Sequence, residues 1–269
     1  MKMKGKKAIT IAVLLIFIIL VGGVILLKNN VLKISISKKE SYVGKYADVD
    51  GDGIVDGVIY ADLAVGGSGA WGDETWSSYG TFKIPEKYHL KEYYVSQKSY
   101  TNEINGEQEV ITAKDTDGKP RFYVMALNDI DEKSYNWYFA ANGKMNDYAK
   151  TTSIEFGKGE SNTKNMIEKW NEEAYGEQNA CLPTKDFLGR PVSSYKDLWG
   201  QIQEQVNNGW YVPSREEWAA FGYNLNKDLG GTHWSSSQYC TDEAWRAENY
   251  HISGDSVCSK GSVRLGTTF

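Results

Sequence analysis

Residues Ala8 to Leu27 read AITIAVLLIFIILVGGVILL, twenty positions without a charge. No other stretch constrains the chain so strongly. A bilayer core takes about twenty helical residues. Five lysines surround the run (Lys2, Lys4, Lys6, Lys7 and Lys28), and no acid lies among residues 1–28. The denser basic patch is on the short N-terminal side. The positive-inside rule then leaves residues 1–7 as a cytoplasmic tail and exports everything after the helix. A cleaved signal peptide is the competing reading. Against it, the run exceeds the usual apolar length of about 7–15 residues, no clean A-x-A site follows, and no nearby cysteine can take a lipid. Either way the main domain is expected outside the cytoplasm, with 8–27 as a single-pass transmembrane helix and 28–41 as a polar stalk.

Beyond the anchor the charge reverses. Five of the 30 Lys and Arg lie in residues 1–28, so 25 remain against 35 Asp and Glu, a net charge of −10. Such a domain is a poor partner for nucleic acid, which needs clustered basic surface. Cations, proteins and glycans remain open as ligands. Apolar residues make up 41% of the chain, enough for a real core.

Residues 42–135 carry β-type runs at 57–65, 107–113 and 121–127, separated by turn signals such as GDG, GGSG, ING and TDG. Residues 136–269 change character. Helical patterns fall at 163–174 and 194–208. Trp210 to Val212 then read as a short buried strand ended by Pro213. Ser214-Arg-Glu-Glu217 is a capping box, and it predicts a helix over 215–223 with Trp218, Phe221 and Leu225 on one face. After Gly230-Gly231 no period is sustained, and short strands with long loops are expected. The class is α+β, a few helices against an irregular antiparallel sheet. The two parts can belong to one domain.

The segment Asp48–Gly57, DVDGDGIVDG, has the spacing of a calcium loop. Asp48, Asp50 and Asp52 take positions 1, 3 and 5, Gly53 position 6, the Ile54 carbonyl position 7 and Asp56 position 9. Carboxylates two residues apart in a tight turn converge on one hard cation and repel one another without it. Position 12 is Ile59 rather than Glu, and Asp62 is a candidate substitute. The expected role is structural calcium, with a plain Asp/Gly surface turn as the alternative.

Four C-terminal segments stand in order: GWYVPSREEW (209–218), HWSSSQY (233–239), AWRAENY (244–250) and SVRLGTTF (262–269). Together they resemble bacterial C-type-lectin-fold surface domains of the Lcl and Fibrobacter-paralogue kind, convincingly over about 60 residues. Formylglycine-generating enzymes share that fold. So do the variable proteins of diversity-generating retroelements, the closer resemblance. The likeness implies a C-type-lectin-like fold in which Trp234, Ser235, Trp245, Val263, Arg264 and Leu265 are scaffold. It also implies that the aperiodic stretch between them displays a ligand-binding face. Tyr239, Thr241, Asp242, Arg246, Tyr250, His251, Ser253, Asp255 and Ser256 are its candidate residues. Tyrosine and arginine are frequent interface anchors. Retroelement mutagenesis acts on adenines, and every residue of 249–259 is reachable from an AAC codon, which is compatible with a diversified loop. An ordinary polar loop is the bland alternative.

Nothing reads as catalytic. The histidines are His89, His233 and His251, and no HExxH, GxSxG, phosphate loop or dinucleotide fingerprint occurs. The spacing of His233, His251, Cys240 and Cys258 matches no standard zinc site. The oxidase resemblance implies a copper-binding cysteine pair, for which Cys240 and Cys258 are the sole candidates. The R-G-G-S-W and G-F-R segments expected around such a pair are absent. The sugar motifs E-P-N and Q-P-D are absent too. Cys240 and Cys258 read equally as a disulfide or as two thiols; Cys181 completes the three cysteines. The sequence therefore points to an anchored, non-enzymatic binding protein whose partner is a protein or glycan on another surface. An oxidase and a structural envelope module are the alternatives.

Overall fold

The computed structural model describes residues 33–35, 41–72, 80–86, 94–102, 106–115, 120–138, 152–172, 197–225, 231–240, 243–248 and 251–269. The apolar run 8–27 lies outside them. Among the described residues no helix is long and apolar enough to cross a membrane.

In chain order the strands are β1 (Lys33–Ser35), β2 (Tyr46–Asp48), β3 (Gly57–Asp62), β4 (Gly67–Trp71), β5 (Gly80–Ile84), β6 (Tyr94–Asn102), β7 (Gly106–Asp115), β8 (Phe122–Ala126) and β9 (Tyr135–Asn136). Four helices follow: α1 (Gly159–Glu172), α2 (Leu198–Gln201), α3 (Gln203–Asn207) and α4 (Arg215–Leu225). The chain closes with β10 (Thr232–Cys240), β11 (Glu243–Glu248), β12 (His251–Ser256), β13 (Lys260–Gly261) and β14 (Gly266–Thr268). This is an α+β protein. Seven strands form one mixed sheet in the order β1-β6-β7-β2-β3-β8-β14. β10, β11 and β12 form an antiparallel sheet of their own, and β4-β5 and β9-β13 are two-stranded. The stalk expected over 28–41 contributes β1, which pairs with the start of β6.

The β-rich and helical parts share structure. β14, the last strand, pairs with β8 over Gly266–Met125, Thr267–Val124 and Thr268–Tyr123. One core joins Tyr60, Phe82 and Met125 to Trp218, Phe221, Trp245 and Ile252. A second is built from Trp137, Met166, Trp199, Val212, Trp234, Ala244 and Val263. A third, under the sheet, holds Tyr42, Ile59, Ile111, Phe122 and Val124.

The helices follow from local pattern plus one tertiary contact each. α1 buries Asn162, Thr163 and Met166, with Ile167 and Trp170 packed on the same core, the spacing of one helical face. It starts at Gly159, four residues before the first position of the apolar pattern. Its first amide, Gly159 N, finds an acceptor far along the chain, the carboxylate of Glu217, which also accepts from Gly157 N just before the helix. The helix expected over 194–208 is broken. Ile202, fully buried, takes φ −104° and ψ 4° and separates α2 from α3. α4 keeps its capping box: Ser214 N donates to Glu217 Oε2 at 2.6 Å, and Glu217 N donates back to Ser214 Oγ at 3.4 Å. Gly222 lets the helix approach Trp71, whose ring would lie 2.3 Å from any Cβ at that position. The expected strand at Trp210–Val212 reduces to a single bridge, Tyr211 to Gly266.

Candidate functional site

The aperiodic stretch 238–259, where short strands and long loops are expected, contains the end of β10 and all of β11 and β12. β11 pairs with β12 without interruption from Glu243–Ser256 to Glu248–His251. The ladder between β10 and β11 is irregular around Gln238. Aperiodic sequence forms strands here because each face carries both core and solvent-reaching side chains, so neither reads as plainly polar or apolar. On one face, Trp234, Arg246 and Ser253 are register partners, as are Thr232, Glu248 and His251, and Gln238, Ala244 and Asp255. On the other lie His233, Ala247 and Ile252, then Trp245 and Gly254. Trp234 and Ala244 enter one core; Trp245, Ala247 and Ile252 enter another.

Indole N–H groups lock this sheet to the rest of the molecule. Trp218 donates to the carbonyl of Trp234 at 3.2 Å, Trp137 to that of Ser235 at 2.8 Å, and Trp234 to that of Tyr135 at 2.8 Å. Each of these three tryptophans thus satisfies its polar atom on the backbone. Ser235, Ser236 and Ser237 form the irregular middle of β10, all buried. Ser236 Oγ accepts from Asn162 at 3.2 Å, and Ser236 N donates to the Pro213 carbonyl. Ser237 Oγ donates to the Ser153 carbonyl at 2.7 Å and accepts from the first amide of α4, Arg215 N, at 3.1 Å. Ser236 and Ser237 bridge β10 to α1 and α4 with groups too small to crowd the junction, and Ser235 Oγ accepts from Ser237 N at 3.2 Å.

The predicted binding residues divide into two sets. Arg246, His251, Ser253 and Asp255 share one face. Arg246 stands between two carboxylates, Nη1 against Asp255 and Nη2 against Glu248. Glu248 also meets His251 Nε2 at 3.1 Å and accepts from Thr232 Oγ1 at 3.2 Å. Asp255 Oδ1 accepts from Ser256 N and Ser259 Oγ at 2.7 and 3.1 Å. This charged row is half-exposed and already ordered. On the opposite side, Tyr239 is 47% exposed and packs edge-on against Trp245, ring centres 4.6 Å apart. Beneath, the Arg215 guanidinium lies 4.4 Å from the centre of the Trp245 ring. Thr241, Asp242 and Tyr250 fall outside the described residues. Sequence reading overlooked Glu248 and Arg215. Their signals were slight: Glu248 stands in the aperiodic stretch as one acid among several, and Arg215 looks like an ordinary exposed residue of a first helical turn.

The acidic loop brings Asp48, Asp50 and Asp56 together, with a carboxylate oxygen of each within 4.8 Å of the others. Asp48 is fully buried and accepts from Gly51 N, Gly53 N and Thr112 Oγ1. Gly53, at φ 99°, makes the turn that glycine tolerates best. Asp52 stands outside the convergent group, and its Oδ1 accepts from Ile54 N at 2.7 Å. Ile54 projects its side chain into solvent, 66% exposed. Burial raises the carboxyl pKa of Asp56 above its ordinary value, and the neighbouring Asp50, Asp48 and Asp52 push it the same way. Asp62 does not complete this group. It is buried and gripped by Arg121, whose Nε meets Oδ1 at 2.7 Å.

These features define an α+β protein carrying a tryptophan-framed three-stranded sheet and an acidic turn. Compared with models of known protein families and with characterised proteins, the chain matches none. Among solved structures it is similar to a fimbrial protein from Bacteroides ovatus, at 16% identity and a TM-score of 0.31. That match covers 55% of this chain and 36% of the fimbrial protein, so the chain spans about a third of its length.

Proposed function

We propose that the chain is a membrane-anchored, extracytoplasmic binding protein of C-type-lectin-like fold that presents the β10–β12 sheet to a protein or glycan on another surface. One observation carries this reading. Tyr239, Arg246, His251, Ser253, Asp255 and Ser256 all reach solvent from the same strands in which Trp234, Ala244, Trp245, Ala247 and Ile252 are held in two cores. Framework and display are different side chains of the same sheet, so the exposed ones can vary without loss of packing. Retroelement diversification of that face is part of the proposal, as are the anchor at 8–27 and structural calcium held by Asp48, Asp50 and Asp56.

Full-length protein reconstituted in nanodiscs and applied to glycan and bacterial-surface protein arrays tests it. Binding that is lost on changing Tyr239, Arg246 and His251 together to Ala, with folding intact, is the expected result. Binding unchanged by that triple variant removes the assignment of this face. Loss of a C-terminal tag to protease added to intact cells is expected from the proposed topology, and a protected tag rejects it.

A further inference from the structure

A concave surface is lined by no residue of β10–β12. It is an open cleft of about 350 Å³ where β8 leaves the large sheet, between the acidic loop and the turn after α3. Val55, Ala126, Leu127, Ile130 and Leu265 give it aliphatic walls, and Trp210 adds an aromatic one. Its polar groups are Asp56, Asn128 and Gln205, and among the described residues its lining holds no Lys, Arg or His. Gln205 Oε1 is enclosed and accepts no hydrogen bond. Asp56 brings a carboxylate from a cluster in which Asp48 and Asp50 stand within 4.8 Å. A bound calcium would leave the four carboxylates of the loop in excess over its charge.

These properties restrict the ligand. Acceptors beside concentrated negative charge disfavour phosphates and carboxylates. A purely apolar ligand would cover the Asp56 carboxylate, whose Oδ2 accepts from Val49 N at 2.6 Å, and would leave Gln205 Oε1 without a partner, at a cost of about 1–3 kcal/mol. The complementary group is flat, cationic and composed only of donors. A guanidinium fits: it has five N–H donors and no acceptor, is weakly hydrated, and stacks on aromatic rings. Its aliphatic stem suits the remaining walls. We propose that the Asp56–Gln205–Trp210 cleft binds a guanidinium on a short alkyl stem, as carried by arginine in a partner protein or by free arginine. This site is independent of the display face proposed above.

Calorimetric titration of the full chain in detergent tests this, with N-acetyl-arginine methylamide, free arginine and N-acetyl-citrulline methylamide as probes. Citrulline keeps the shape and loses the charge. The arginine amide is expected to bind at least about tenfold more tightly than the citrulline amide. Gln205→Leu, which leaves the acidic loop untouched, is expected to weaken it by about fivefold or more. Asp56→Asn should weaken it further. Binding of the amide but not of free arginine identifies a peptide-borne source; equal binding identifies the free amino acid. Equal affinity for the arginine and citrulline amides overturns the proposal. So does a Gln205→Leu protein with unchanged thermal midpoint and unchanged arginine affinity, or no heat of binding up to about 10 mM.

Discussion

Arg121 closes on Asp62 with two parallel hydrogen bonds, Nε to Oδ1 at 2.7 Å and Nη2 to Oδ2 at 2.8 Å. Both side chains are essentially sealed from water. The guanidinium also lies 4.7 Å from the centre of the Phe122 ring and 5.3 Å from that of Tyr42. The pair ties the end of β3 to the start of β8, and Asp62 additionally accepts from Ala64 N at 2.9 Å.

Breaking this pair from one side strands a buried charge. Arg121→Met is expected to destabilise the protein by about 3–5 kcal/mol. Urea denaturation followed by tryptophan fluorescence measures it. A loss below about 1 kcal/mol would mean that Asp62 finds water or another partner. The double variant Arg121→Met/Asp62→Leu should recover much of the loss, since an apolar pair removes the stranded charge.

Glu217 gives the fold a pH dependence with a definite sign. Burial pushes its carboxyl up to about 7, against the lowering effect of amides from Ser214, Gly157 and Gly159. The folded state therefore holds the proton more tightly than the unfolded one. The stabilisation is complete below the ordinary glutamate value and is lost as pH rises from about 4.5 to about 7. Glu217→Gln keeps a carbonyl for Ser214 N and removes the titration. Its unfolding free energy should vary less than the parent's across that window; identical pH profiles would refute the assignment.

Calcium should stabilise the acidic loop by relieving the repulsion among Asp48, Asp50 and Asp56. At about a hundred times its dissociation constant, a ligand specific to the folded state contributes about 2.7 kcal/mol. Calorimetric scans in calcium and in EGTA are expected to differ in midpoint. Asp50→Asn should abolish that difference without lowering the calcium-free midpoint, because it removes a like charge. Magnesium serves as the control for nonspecific screening.

Framework and display should separate in mutational data. Trp245→Ala opens a hole between Tyr239, Arg215 and the core of Trp218, Phe221 and Ile252, at an expected cost of about 3–5 kcal/mol. Tyr239→Ala removes only an edge contact from a half-exposed ring and should cost about 1 kcal/mol. Equal penalties at both positions would contradict the division of roles.

Several elements were legible in the residues because their causes are local. The box at Ser214 and Glu217 needs three residues of spacing, and α4 starts where it says. The core tryptophans Trp218, Trp234 and Trp245 were recognisable by size alone. The charged row on β11 and β12 was half visible. Arg246, His251 and Asp255 stood out as types, but their grouping around Glu248 depends on register. Asp62 illustrates the opposite error: near the acidic loop in sequence, it is claimed by Arg121 from β8's edge, 59 positions away.

The order of residues by itself determined the α+β class, the acidic turn at Asp48–Asp56, the capping of α4 and which aromatics are interior. Each depends on neighbours within one turn of helix, one tight loop or the volume of one side chain. Tertiary structure decided that Ser236 and Ser237 of β10 would meet α1 and α4, that Glu217 would receive the start of α1, and that β14 would complete the sheet beside β8. In each of these, a backbone group or carboxylate is satisfied by a partner remote in sequence. Such pairings cost chain entropy that only the assembled tryptophan cores offset, and no short window of residues contains both halves of the contact.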